Sequence, residues 1–326
     1  LVMGGSRGAH PINHLIRESL YEGLPPLLCQ EYHTRVAEAV AEREGVLENA
    51  VEEVVGETAH VLAKHHFLGV RPREGTPFLL GALEHLAREY AHGAGAALAD
   101  LALDREGLLY GLPRTRVLLH LCYGPLRFTG DSRRLEECAR EAEDLAIGLA
   151  KADLAEDAAH ALAWALEMMG RHEDALVALD RMLVSAAARG DLDSQVRGNV
   201  KKGGVLSVLA RFSEALESLQ RGRELARRIE HPAWEANALG NMATCWFFGG
   251  HLDHALALHE EARAVRATAG AREDGALTLL NSAMVLARLG RLQEAEQRIE
   301  EAFRVFVAQG ERAHLGRVLD TQGSLC

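Results

Sequence analysis

Apolar residues recur at intervals of three and four along most of the chain, the spacing of one helical face. One amphipathic phrase returns in step: GRHEDALVALDRM from Gly170, ARFSEALESLQRG from Ala210, GHLDHALALHEEA from Gly250 and GRLQEAEQRIEEA from Gly290. These starts, at positions 170, 210, 250 and 290, are evenly spaced without slippage. A fixed period of this length is the sequence sign of stacked helical units. Each unit predicts two helices, the first ending at the glycine (or Ala210) and the second beginning just after it. Gly130 extends the period backwards, with Asp131 as a helix cap, although Leu135 fills the slot that alanine holds in later units.

Small residues mark where the paired helices approach. Ala163, Gly203, Ala243 and Ala283 sit seven residues before each turn, and Ala175, Ala215, Ala255 and Ala295 five after it. A bulky side chain at these places should cost about 1–3 kcal/mol through overpacking. Leu166, Leu206, Trp246 and Leu286, four before the turn, fill the space between helices.

Upstream the pattern is less regular. Residues 1–10 are glycine-rich and aperiodic, which reads as a frayed end. Ile12, Leu15, Leu20 and Leu24 predict a helix over 11–23, broken by Pro25 and Pro26. The next helix, about 26–44, carries Tyr32, Val36, Ala39 and Val40 on one face. A third is expected over about 48–67, through Val51, Val54, Val55, His60, Leu62 and Phe67. A pair over about 76–91 and 94–105 hinges at His92 and Gly93, and a helix after Pro113 runs through Val117, Leu118, Leu121 and Cys122. The expected organisation is a disordered start and the end of a preceding segment over 1–24, irregular helical hairpins over 25–112, and repeats over 113–326, the last cut short after Arg312.

Composition narrows the class. Hydrophobic residues make up 48% but aromatics only 5%, and the abundance of Ala and Leu favours an all-α fold of closely packed helices. A net charge of -11 speaks against non-specific attraction to nucleic acid or to an anionic membrane surface. The five scattered cysteines form no CxxC pair, which points to a reducing compartment and a cytoplasmic location. No apolar run approaches the roughly 18 residues of a membrane span. Starting at Leu1 and stopping in mid-pattern at Cys326, the sequence reads as a fragment of a longer protein.

Motifs for chemistry are missing: there is no GxxxxGK[ST], no HExxH and no GxSxG. The expectation is a chain with no catalytic set, no cofactor and no metal. His251 and His254 are three apart and could face one ion, but no cysteine lies near them, and edge histidines account for them. His259 occupies the slot that Leu179, Leu219 and Ile299 fill in sister units, and is expected to be semi-buried and hydrogen-bonded.

The small–apolar–turn–Ala pattern resembles the tetratricopeptide repeat family, over about 130–326 and more loosely over 57–110. That resemblance implies an antiparallel helix-hairpin (TPR-like) solenoid, a right-handed superhelix whose first helices line a concave groove for a protein or peptide. Residues six, nine, ten and thirteen before each turn would point into it: Asp157, His160 and Trp164; Arg197 and Lys201; Asn237, Asn241 and Thr244; Leu277, Asn281 and Met284. The Asn amides offer donor and acceptor to an extended backbone, or else tie neighbouring helices together. Arg197 and Lys201 could hold a carboxylate. Phe248 is a candidate exposed anchor.

The stretch INHLIRESLYEGLPPLLCQEYHTRVAEAV is similar to a junction in bacterial signalling ATPases of the STAND type. His14, Leu15, Ile16, Arg17, Glu18, Leu20, Tyr21, Leu24, Pro25, His33, Val36, Ala37 and Glu38 carry this match, with one residue missing after His14. It implies a sensory or partner-binding arm whose ATPase, kinase or cyclase part lies elsewhere. The alternative is a small-molecule effector sensor, with a pocket walled by Trp164, Phe248 and Met284.

Overall fold

The computed structural model describes residues 23–46, 53–268, 275–308, 316 and 318. The glycine-rich start, the helix expected over 11–23, the front half of the signalling-ATPase likeness and most of the truncated last repeat lie outside the described residues. All regular structure among the described residues is helical. The chain divides into two compact units, meeting in sequence between Val117 and Leu118.

The first unit holds α1 (Pro26–Arg43), α2 (Gly56–Leu68), a 3-10 turn at Pro72–Gly75, α3 (Thr76–Arg88), α4 (His92–Leu103) and the start of α5 (Gly111–Tyr123). Three details depart from the sequence expectation. The buried side of α1 is His33, Thr34 and Ala37, while Tyr32 is exposed. The reason is polar: Thr34 Oγ1 accepts the N–H of Val70, just past α2, at 3.0 Å, and His33 Nδ1 meets His65 Nδ1 on α2 at 2.7 Å, so this face is held by hydrogen bonds. The second departure is the start of α2 at Gly56, which leaves Val54 and Val55 ahead of the helix: Val55 is extended and Gly56 has φ +75°. Third, the hinge between α3 and α4 falls at Tyr90, whose φ is 54°, rather than at His92 and Gly93.

The second unit continues through α6 (Pro125–Thr129), α7 (Ser132–Gly148), α8 (Ala152–Met168), α9 (His172–Arg189), α10 (Leu192–Val208), α11 (Phe212–Arg228), α12 (Pro232–Phe248), α13 (Leu252–Thr268), α14 (Ala276–Arg288) and α15 (Leu292–Ala308). From Gly170 onward the turns within hairpins are closed in one way. At Gly170 the αL residue donates to Glu167 O at 2.9 Å and the next N–H, of Arg171, donates to Leu166 O at 2.8 Å. This pair of bonds satisfies carbonyls that the helix end would strand. It recurs at Ala210, Gly250 and Gly290, and also between hairpins at Ala150, Gly190 and Glu230. The same reversal therefore serves both joints of a repeat, and only the joint within each hairpin carries the signature that the sequence displays.

The small-residue rows pack as their spacing requires. Ala163, Ala243 and Ala283 are fully buried, as are Ala175, Ala215, Ala255 and Ala295. A Cβ added to Gly203 would sit 2.7 Å from Leu219 Cδ2 and closer still to its Cγ, so this position tolerates no side chain. Leu166, Leu206 and Leu286 fill the interior, each worth about 2 kcal/mol of burial. Trp246 in the same row is only partly buried, its ring capped edge-on by His251 and His254. First helices also touch across hairpins, α8 to α10, α10 to α12 and α12 to α14, more closely than successive second helices do. The first helices thus line the inner side of this unit.

Candidate partner-binding face

On α8, Asp157, His160 and Trp164 share a stripe because they lie three to four residues apart. His160 is 4% exposed. Tyr123, at the end of α5, stacks on its ring with centroids 6.0 Å apart. The Tyr123 hydroxyl donates to Asp157 O at 2.8 Å and lies 3.2 Å from His160 Nδ1. With the phenol proton committed, His160 Nδ1 is the donor, which leaves Nε2 as a buried acceptor without a partner. Burial first, then the charges of Lys201, Arg197 and Arg127, hold its pKa well below the ordinary histidine value.

The neighbouring stripe on α10 brings Arg197 and Lys201 to the same place. Arg197 Nη1 donates to Asp157 Oδ1 at 2.7 Å, and Asp193 lies 3.0 Å from its Nε. The Lys201 ammonium pairs with Glu167 and sits 3.5 Å from the centre of the Trp164 ring, on which Arg127 also lies, at 4.0 Å. Burial lowers the Lys201 pKa, against the opposing pull of Glu167. Both cations expected to hold a partner's carboxylate therefore already hold carboxylates of this chain. The sequence reading placed Asp157 and Arg197 on one face without seeing that they bind each other.

On α12, Asn237 accepts from Arg266 at 2.6 Å, and Thr244 bonds its own helix at Gly240 O. Asn241 and, one repeat on, Asn281 are half-buried, and neither amide makes a hydrogen bond among the described residues. They do not tie helices together. Leu277 and Met284 flank Asn281 on α14 and are exposed. Phe248, one turn beyond Thr244, is 64% exposed and stacks on Phe212 at 6.5 Å. Tyr123, Arg127 and Arg266 escaped the sequence reading, because none sits in the four groove rows.

His259 is more deeply buried than the semi-buried, hydrogen-bonded site expected of it: its Nδ1 has no partner, and desolvation alone lowers its pKa to about 4. Among the described residues no group of three or more His, Cys, Asp or Glu side chains is placed to hold a metal, and no helix is long and apolar enough to cross a membrane. Two surface hollows, of about 380 and 480 Å³, lie along α13–α15 and α10–α11. Neither is lined by Trp164, Phe248 or Met284, the walls expected of a small-molecule pocket.

No family model and no curated protein matches the sequence. Solved structures do match in fold. Aspartyl phosphate phosphatase F from Bacillus subtilis is 11% identical with a TM-score of 0.62, over 98% of this chain and 88% of that one. A Rap protein complexed with competence and sporulation factor is 12% identical with a TM-score of 0.55, over 92% and 98%. BtubC from P. vanneervenii is 22% identical with a TM-score of 0.50, over 70% and 92%. Paired helices, an even repeat step and these likenesses together show the chain to be a tetratricopeptide-like repeat array.

Proposed function

We propose that this chain is a non-catalytic, partner-binding repeat module that takes a peptide or protein segment on the face of its first helices. The observation that carries the reading is the pair Asn241 and Asn281: equivalent residues of adjacent hairpins, on the inner side, with amides left unpaired among the described residues. Successive amides at one-repeat spacing suit the repeating donors and acceptors of an extended backbone. A bound factor on a Rap protein of this fold is consistent with it. The module serves a larger signalling protein as its sensory or regulatory arm, a role favoured by the signalling-ATPase pattern from His14 to Glu38. Binding biases such a parent between states through contacts made in only one of them.

The test is a pull-down of partners by the whole chain, compared with the double variant Asn241→Ala, Asn281→Ala. Circular dichroism checks that the variant stays folded. Loss of the specific partner is expected; equal retention by the folded variant rejects this face as the binding site.

A further inference from the structure

The inner face changes character along its length. At α8 and α10 it is charged, and Arg197 and Lys201 are engaged by Asp157, Asp193 and Glu167. At α12 and α14 the residues of the inner rows from Asn237 to Met284 are uncharged, and the cations beside them are engaged, Arg266 by Asn237 and Arg288 over the Phe247 ring. Leu277, Asn281 and Met284 form one stripe there, and Leu277 and Met284 are 39% and 37% exposed. Where these two regions meet, the face has bare backbone, at Gly204 and Gly240.

Glycine is, after proline, the poorest helix former, so a glycine inside a helix needs a reason. Three have one in packing: an added Cβ would lie 2.7 Å from Leu183 at Gly198, 2.7 Å from Leu219 Cδ2 at Gly203 and 2.8 Å from Val200 at Gly222. Gly204 and Gly240 have none. A Cβ at Gly240 would meet nothing within 4 Å, and one at Gly204 only Asn241 Nδ2 at 3.6 Å. In sister hairpins the Gly240 position is filled by His160, Val200 and Leu280, all buried. The missing side chain thus leaves an open recess, and the unpaired Asn241 amide adjoins the bare floor at Gly204.

We propose that Gly204, Gly240, Asn241 and Asn281 seat an uncharged, extended peptide segment. Its backbone comes down on the bare helices and pairs with the two amides, and an apolar side chain rests on Leu277 and Met284. The uncharged rows around Gly240 and Asn241 select an uncharged partner, because a charged one would lose hydration there against side chains that carry no opposite charge. An acidic segment would instead have to displace Glu167 or Asp157 from Lys201 and Arg197, or draw Arg288 off the Phe247 ring. This inference rests on the partner-binding reading above and names the chemistry of the partner.

The experiment probes the whole chain with two arrays of immobilised heptapeptides, one uncharged with a central Leu, Met or Phe, the other with central Asp or Glu. Retention of uncharged members is expected. Gly204→Ala and Gly240→Ala should each raise Tm by about 2 °C, since both remove a helix-weakening glycine. Gly240→Leu, which restores the sister pattern, should weaken retention at least tenfold. A gain in stability with a loss of binding is an outcome that no packing defect produces. If uncharged peptides bind Gly240→Leu as well as the parent chain, the inference is overturned while the binding face stands. It is equally overturned if only acidic peptides bind and Lys201→Met abolishes that. If neither array is retained, both readings fall.

Discussion

The Lys201 ammonium lies 3.5 Å from the centre of the Trp164 ring, one repeat away in sequence, with Glu167 as its countercharge. The Lys201 side chain is 10% exposed and that of Glu167 25%, so the two partners are not equivalent. Removing Glu167 strands a buried cation; removing Lys201 leaves a carboxylate that water still reaches. Glu167→Ala should therefore destabilise by about 2 kcal/mol and Lys201→Met by less than about 1 kcal/mol. Urea denaturation of the two variants checks the order, and equal losses would contradict it.

The turn at Ala210 has φ 56°, where its sisters Gly170, Gly250 and Gly290 have 75°, 82° and 75°. An alanine in this region is strained, whereas glycine is not. Ala210→Gly should stabilise by about 0.5–1 kcal/mol, the relief of strain exceeding the added freedom of the unfolded chain. Gly170→Ala should lose a similar amount, although open space surrounds its Cβ position. Denaturation midpoints measured on both variants test this.

Gly203 and Gly204 are neighbours in α10 with opposite prospects. Gly203→Ala forces a methyl onto Leu219 and Ala215 O, and should cost about 1–3 kcal/mol despite the better helix propensity of alanine. Thermal melts of that variant beside Gly204→Ala should shift in opposite directions.

Stability should fall with acid. The folded-state pKa of His259 and His65 is depressed from 6.5 to about 4 in each case. The unfolded chain takes up these protons first, so the contribution is whole above pH 6.5 and is lost as pH falls through 6.5 towards 4. For His259, which is 2% exposed, the full shift corresponds to about 3 kcal/mol. His259→Leu installs the residue that sister units use and removes an unpartnered buried nitrogen. It should raise stability at neutral pH and flatten the decline in acid; stability curves at several pH values decide.

The architecture was readable because its causes are local. Gly170, Gly250 and Gly290 announce their turns through residue type, and Ala175 or Ala255 announce close approach through size. The second series of turns was not readable, since Ala150, Gly190 and Glu230 share backbone bonds rather than a side chain. The face was half readable. Periodicity put Asp157, Arg197, Asn241 and Asn281 on it, but lateral reach between hairpins decides which are already engaged. That reach made Asp157 the partner of Arg197 and left Asn241 and Asn281 unpaired among the described residues. The buried face of α1 was misread because polar residues, Thr34 and His33, make its contacts.

The backbone reversal shared by both joints of a repeat has a consequence for how such a chain changes length. Each of these turns is closed by main-chain bonds, so the joint at Gly190 is interchangeable with that at Ala150 or Glu230. A whole hairpin can be excised or duplicated between equivalent turns with every joint remade. A single inserted residue inside a helix instead rotates all that follows by about 100° and carries later rows off the inner face. The array is a ruler graduated in whole hairpins, and its length changes only by that step.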